Sequence, residues 1–185
     1  MTIFENKKLE RDTFRKLRDV VSLNQRENVE KNVKLYIDSF VKGYKNIGYI
    51  GIYWPLKNEV DIRSLKKKFS LALPRCKDKK ELLFYPWDEK PLTKDSEGIL
   101  SPNNSSPLSH LQISMILVPC LSVDKNLTRL GYGGGYFDKL RRDNHWRNVP
   151  CIGVLTSNCV STIPLTRAEW DIPLSGFITE KEIFV

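Results

Sequence analysis

The hydrophobic positions change period several times along the chain. Between Leu9 and about Val21, the apolar residues Phe14, Leu17 and Val21 recur at helical spacing among Lys7, Lys8, Arg11, Arg15 and Arg18, which predicts an amphipathic helix. Ser22-Leu23-Asn24-Gln25 has the form of a capping box. Val29, Val33, Tyr36, Ile37 and Phe40 then fall on one side of a second helix that Gly43 ends. Ile47 to Trp54 is short, rich in β-formers and almost uncharged, the pattern of a strand buried on both faces, and Pro55 stops it. Asp61 is placed to cap a third helix through Ile62, Leu65 and Phe69, and Leu71–Pro74 and Leu82–Tyr85 read as two more strands.

From Pro86 to about His110 the periodicity fades, and proline, serine, asparagine and glycine accumulate between Pro91 and Pro107. This is an irregular crossing rather than a linker, because the most apolar strand, Ile113–Pro119, follows at once. A glycine-rich stretch, a helix through about Arg142, a strand over Cys151–Leu155 and a last strand near Gly176–Ile178 complete the pattern. Strands alternating with helices predict a single-domain α/β layered fold over residues 1–185, with a mostly parallel sheet flanked by helices. Ligands of such sheets sit beyond the carboxyl ends of the strands. Trp54, the loop after Pro119, and Leu155 with Thr156 lie at such ends.

Composition narrows the class. The chain has 185 residues, 41% hydrophobic and 28% charged, which is ordinary for one globular domain. No apolar run reaches the roughly 18 residues of a membrane span, and the start of the chain has no secretory apolar segment, so a soluble cytoplasmic protein without a membrane partner is expected. Cys76, Cys120, Cys151 and Cys159 show no Cys-x-x-Cys pair and no histidine at zinc-like spacing. Residues 1–80 carry 20 Lys and Arg against 10 Asp and Glu, and residues 81–185 carry 10 against 12, within a net charge of +8. A basic front suits an anionic small molecule or a nucleic acid. No recognisable RNA- or DNA-binding motif accompanies it, so a nucleic-acid partner is not expected.

The candidate chemistry centres on Arg129-Leu130-Gly131-Tyr132-Gly133-Gly134-Gly135-Tyr136-Phe137-Asp138, where four of the ten glycines fall within five positions. Glycines let backbone amides converge on an anion. The spacing Gly-x-Gly-Gly-Gly matches neither familiar phosphate fingerprint, so a phosphate cradle and a flexible turn both fit. Arg129 can fork onto phosphate oxygens or be a surface charge; Asp138 can hold a metal or pair with a neighbouring cation. The only histidines, His110 and His145, stand beside no plausible nucleophile. What remains, namely arginine, lysine, tyrosine, carboxylates and backbone amides, suits phosphoryl transfer with Mg²⁺.

The segments Val118-Pro-Cys-Leu-Ser-Val-Asp124 and Arg129 to Asp138 resemble the signature of the 5-formyltetrahydrofolate cyclo-ligase family, also called methenyltetrahydrofolate synthetases. Supporting matches are Tyr53-Trp54-Pro55 with Glu59-Val60-Asp61, Ala72-Leu73-Pro74, Gly98-Ile99 with Pro102, and Trp170-Asp171 before Ile178-Thr179-Glu180. The resemblance implies a Rossmann-like fold and an ATP- and Mg²⁺-dependent ring closure of 5-formyltetrahydrofolate to 5,10-methenyltetrahydrofolate, with no protein nucleophile; a monomer is assumed. It implies that Lys7, with Lys8 as the alternative, and Arg11 reach ATP phosphate. Arg129, Leu130, Gly131, Tyr132, Gly133, Gly134, Gly135, Tyr136 and Phe137 would hold the nucleotide, with Arg129 and Tyr136 at the reacting groups. Trp54 and Glu59, with Tyr132 to Tyr136, would meet the folate, and Asp138 and Asp171 would hold magnesium. The chain departs from the family pattern at Trp170, Ser101 and Ser114, and lacks the glutamine expected after the Gly153 strand. A folate- or nucleic-acid-binding protein on the same fold, without turnover, is the alternative.

Overall fold

The computed structural model describes residues 2–44, 46–78, 81–88, 90–103 and 106–185. Helix α1 (Ile3–Asp19) starts earlier than the apolar spacing predicts, because Thr2 and Glu5 form a capping box upstream of it. The expected box at Ser22 and Gln25 opens α2 (Leu23–Lys42), and Val29, Val33 and Ile37 are the residues it buries. Strand β1 is only Tyr49–Gly51, shorter than the apolar run; a register shift against its neighbour falls between Tyr49 and Ile50, and the Ile52 amide makes a last bond to the Ala72 carbonyl at 2.9 Å. The third helix is a five-residue 3-10 helix, Arg63–Lys67, with no side-chain cap. The Asp61 carboxylate is taken by the Arg63 amide and guanidinium instead.

The chain continues through β2 (Leu71–Lys77), β3 (Glu81–Pro86), the hairpin β4 (Thr93–Lys94) and β5 (Leu100–Ser101), β6 (Ile113–Pro119), β7 (Ser122–Asp124) and β8 (Arg129–Leu130). The expected irregular stretch between Pro91 and Pro107 thus holds a short hairpin, and its positions 104 and 105 lie outside the described residues. Helices α3 (Tyr136–Arg142) and α4 (Asn144–Arg147) lead to β9 (Cys151–Val154), β10 (Val160–Ser161), β11 (Gly176–Ile178) and β12 (Ile183–Phe184).

The main sheet runs β12-β11-β9-β6-β1-β2-β3. Its five inner strands are parallel, and β3 and β12 add antiparallel edges. Apolar positions alternate between its faces, as the strand pleat requires. Met115 and Leu117 of β6 pack with Val29, Val33 and Ile37 of α2, while Ile116 and Val118 pack with Leu140 of α3. Both faces are covered, which is why β6 reads as an unbroken apolar run. A three-stranded sheet, β10-β7-β8, sits apart. Among the described residues no helix is long and apolar enough to cross a membrane.

Strand order reverses at β1: the chain goes to β2 on one side and later to β6 on the other. Such a reversal opens a crevice at the carboxyl ends of the strands. Here that edge is formed by Tyr53 and Trp54 after β1 and by Pro119 at the end of β6.

Candidate active site

A cleft of about 650 Å³ opens at this reversal. One wall is α1, which contributes Lys7 and Arg11, and a second is the Trp54–Glu59 turn. Arg129 to Asp138 forms the floor and Asp171 closes one end. All the residues that the family resemblance singles out therefore face one space. Lys7 lines the cleft, whereas Lys8 is exposed, so Lys7 is the member of that pair at the site.

Helix α1 acts as a ruler along the cleft. Arg18 Nη1 donates to the Tyr132 hydroxyl at 3.0 Å, Arg11 Nε donates to the Gly131 carbonyl at 3.0 Å, and Lys7 Nζ donates to Asp171 Oδ2. Steps of four and seven residues keep all three cations near one face of the helix. That spacing was visible in the sequence; Arg18, which the motif reading left out, does not line the cleft itself but supports Tyr132 from a small pocket behind it. Glu10, on the same helix, accepts the Thr166 amide at 2.8 Å and fastens α1 to the segment before Asp171.

The glycine stretch is held by its flanks. Arg129 is not a surface charge: its side chain is 9% exposed, Nε and Nη2 donate to the Pro119 carbonyl at 3.2 and 3.0 Å, and Nη1 lies 3.6 Å from Asp138 Oδ1. A Cβ at Gly131 would come within 2.7 Å of that guanidinium. Gly133 and Gly135 have φ of 107° and 74°, where side-chain-bearing residues are strained. Upstream, buried Asp124 accepts the Asn126 and Thr128 amides, both at 2.9 Å, and the Leu165 amide at 2.8 Å, fixing the turn that leads into β8. Tyr136, at the start of α3, donates its hydroxyl to Glu97 in the β4–β5 hairpin, and that carboxylate pushes the Tyr136 hydroxyl up to about 12.

At the inner end, Glu59 accepts the Leu56 amide at 2.7 Å through Oε2, while its Oε1 is buried without a well-formed hydrogen bond. Burial pushes the Glu59 carboxyl up, offset in part by the neighbouring Tyr132 side chain, the Leu56 amide and the Arg18 charge. Burial, with Glu59 close by, likewise pushes the Tyr132 hydroxyl well up. Trp54 is half-buried between the core and the cleft, with the Arg63 guanidinium 4.4 Å from its ring centre. All four cysteines are buried, and burial raises each thiol, Cys120 to about 12, so none is a poised nucleophile.

Against this geometry, the sequence profile of the 5-formyltetrahydrofolate cyclo-ligase family matches residues 3–180. The chain belongs to this family. It is 27% identical over 177 residues to the 5-formyltetrahydrofolate cyclo-ligase of Haemophilus influenzae, covering 89% of this chain and 92% of that one. It is 30% identical over 92 residues to the Escherichia coli K12 cyclo-ligase, about half of each chain. The solved Aquifex aeolicus 5,10-methenyltetrahydrofolate synthetase superposes with a TM-score of 0.76 at 26% identity, covering 96% of this chain and 91% of that one. The Mycoplasma pneumoniae 5,10-methenyltetrahydrofolate synthetase, at 22% identity and a TM-score of 0.73, shares the fold over 95% of this chain and 99% of its own.

Three departures from the family pattern have local explanations. Ser114 accepts the Gly48 amide at 2.8 Å and ties the start of β1 to β6. Buried Ser101 accepts Arg75 Nη1 at 2.9 Å. Trp170 stands 43% exposed at the cleft's outer end, with Arg142 against its ring.

Proposed function

We propose that this cyclo-ligase-family protein closes 5-formyltetrahydrofolate to 5,10-methenyltetrahydrofolate at the expense of ATP. The observation that carries this reading is the shared cleft. A glycine floor, Lys7, Arg11 and two carboxylates suit a nucleotide triphosphate, and Trp54 with the under-bonded Glu59 suits a flat, nitrogen-rich ring. The formyl oxygen attacks the γ-phosphorus and ADP departs; N10 then attacks the formyl carbon, which releases phosphate carrying that oxygen, and N10 loses its proton. No step needs a protein nucleophile.

The backbone amides of Gly133 to Gly135 and the cations of α1 bind and orient the triphosphate, since positioning and charge neutralisation supply most of phosphoryl-transfer catalysis. Arg129 acts from beneath by fixing the loop to Pro119. Tyr136, tied to Glu97, holds the hairpin against the loop and so shields the reacting groups from water. Glu59 offers an acceptor to ring N–H groups.

The residues also fit magnesium. Among the described residues no three His, Cys, Asp or Glu side chains form a ready metal cage, and Mg²⁺ characteristically takes one or two carboxylates plus substrate phosphates. Asp138 would contribute a half-exposed carboxylate. Asp171 would contribute Oδ1, because its Oδ2 accepts Lys7 Nζ and the Ala168 amide. The ion would neutralise phosphate charge.

The test is methenyl product formation, followed by its absorbance, with and without Mg·ATP. Turnover that requires ATP is the expected result. A folded protein that binds 5-formyltetrahydrofolate without turning it over would overturn the proposal, and Asp138→Asn should lower ATP use far more than stability.

A further inference from the structure

We propose that Arg18 is a positioning residue, which from behind the cleft wall holds Tyr132 and the Glu59 carboxylate as one unit and keeps that carboxylate available as an acceptor. The unit stands on contacts within the chain; only the ligand it serves rests on the reading above.

The last turn of α1 grips the Leu56–Glu59 turn twice. Asp19 Oδ1 accepts Asn58 Nδ2 at 2.9 Å, which steadies Asn58 at a φ of 66°, a left-handed conformation that asparagine tolerates better than most residues. Glu59 comes next, its amide donating to the Leu56 carbonyl at 3.1 Å while its Oε2 accepts the Leu56 amide. Arg18 is the second grip. Its side chain is 17% exposed, Nη1 donates to the Tyr132 hydroxyl, and the guanidinium carbon lies 5.3 Å from that ring's centre. A hydroxyl that accepts from Arg18 keeps its own proton for another acceptor, and Glu59 is the carboxylate beside it. The order guanidinium, hydroxyl, carboxylate polarises each bond in the same sense.

Arg18 Nε and Glu59 Oε1 are both buried without a well-formed hydrogen bond, and both residues line one cavity of about 20 Å³ behind the cleft. Their opposite charges therefore share a space with little solvent, where screening is weak. Burial pushes the Glu59 carboxyl up, and Tyr132, the Leu56 amide and the Arg18 charge pull against it. The other charged groups nearby are largely engaged elsewhere. Arg129 lends Glu59 less than Arg18 does and is committed to Pro119 and Asp138. Asp61 is paired with Arg63. From α2, Arg26 donates to the Val21 carbonyl, Glu30 meets Ser64 and Lys34, and Glu27 is exposed. Asp19, 3.6 Å from Arg18 Nη2, is exposed and shared with Asn58. Tyr53, Cys120 and Cys159 are kept neutral by burial. Without the Arg18 charge, burial would leave Glu59 protonated over a wider range of pH, and a protonated carboxyl offers one acceptor fewer to a ring N–H.

The test follows the Glu59 side-chain carboxyl carbon by NMR across pH, in the full chain carrying ¹³C-labelled glutamate, with Glu59→Gln assigning the signal. Arg18→Gln, which keeps a donor for Tyr132 and drops the charge, should move the Glu59 midpoint up. Arg18→Lys, which keeps the charge, should move it much less. Tyr132→Phe should also raise the midpoint, and adding Arg18→Gln to it should raise it by less than the sum of the two single shifts, as for groups acting together. A merely structural Arg18 would lower the unfolding temperature of both Arg18 variants and leave the midpoint in place, which overturns the inference. So would equal midpoint shifts in Arg18→Gln and Arg18→Lys. Binding of 5-formyltetrahydrofolate to the same variants reads the consequence: Arg18→Gln should lose several-fold in affinity on the acid side of the profile and converge on wild type as pH rises. A midpoint that moves while the folate profile does not leaves the Arg18 unit standing and removes Glu59 from folate binding. A midpoint that stays removes the unit, whatever folate does.

Discussion

Lys7 of the first helix and Asp171, 164 residues later, form an ion pair whose side chains are only 12% and 10% exposed. Removing one member of a buried pair leaves the other charge uncompensated, which is far costlier than removing both. Lys7→Met should therefore destabilise the fold by about 3 kcal/mol, read by denaturant unfolding, and Asp171→Asn should behave similarly. The double variant should be markedly more stable than the sum of the two losses predicts. Its ATP-dependent turnover should stay lost, because restored packing does not restore phosphate or metal contacts.

Two glycines of the loop should fail for different reasons. At Gly133 a Cβ meets only Arg11 atoms, the nearest at 3.7 Å, but φ is 107°. Alanine there is strained by about 1–2 kcal/mol, and the loop should relax away from the shape that converges its amides. At Gly131 the nearest atom to an added Cβ is Arg129 Nη1, at 2.7 Å. Gly131→Ala should push the guanidinium off Pro119 and Asp138. Both variants should raise the KM for ATP, measured by initial rates, and only Gly131→Ala should be partly rescued by shortening Arg129 to Lys.

Much of the fold was legible because it rests on periodicity. The run Ile113–Pro119 is apolar at every position except Ser114, since α2 covers one face of β6 and α3 the other. The Ser22 capping box is likewise a local signal. Helix α1 was misjudged at its start because it buries no residue fully, so its apolar pattern is weak and Thr2 and Glu5 set the boundary. Strands β7, β8 and β10 span two or three residues, too short for any period to show, and buried Asp124 organises the turn between β7 and β8 from a position that reads as polar. The site itself could be assembled only through family resemblance. Lys7 and Asp171 meet because of how the sheet is wound, which spacing in one sequence does not encode.

Glu59 links stability to pH in a direction opposite to most carboxylates. Burial raises its folded-state pKa above the ordinary 4.5, so the folded protein holds this proton more tightly than the unfolded chain. Its contribution favours folding at low pH and is lost as pH rises from about 4.5 through the folded value. Glu59→Gln, which keeps an acceptor for the Leu56 amide, should therefore raise Tm at pH 7, and the gain should shrink as the pH falls towards 4.5. The same change should weaken 5-formyltetrahydrofolate by roughly ten-fold, the scale of a hydrogen bond to a charged group. Thermal scans across pH, paired with folate titrations, check both halves.

Arg141 sets the geometry between the two candidate metal carboxylates. It lies one turn after Asp138 on α3, is 6% exposed, and donates Nη1 to the carbonyls of Ile172 and Pro173 at 3.0 and 2.8 Å, directly after Asp171. Asp138 and the Asp171 segment are thus fastened to one helix by a residue that does not line the main cleft itself. Arg141→Met strands two carbonyls and should lower stability by about 2 kcal/mol. A purely structural role would stop there. A positioning role predicts in addition that the Mg²⁺ concentration giving half-maximal turnover rises several-fold in the variant at temperatures where it is fully folded, with 5-formyltetrahydrofolate affinity unchanged, and that Arg141→Lys, which can still reach one carbonyl, recovers part of that shift. Titrating turnover with Mg²⁺ at saturating ATP, well below the variant's Tm, separates the two.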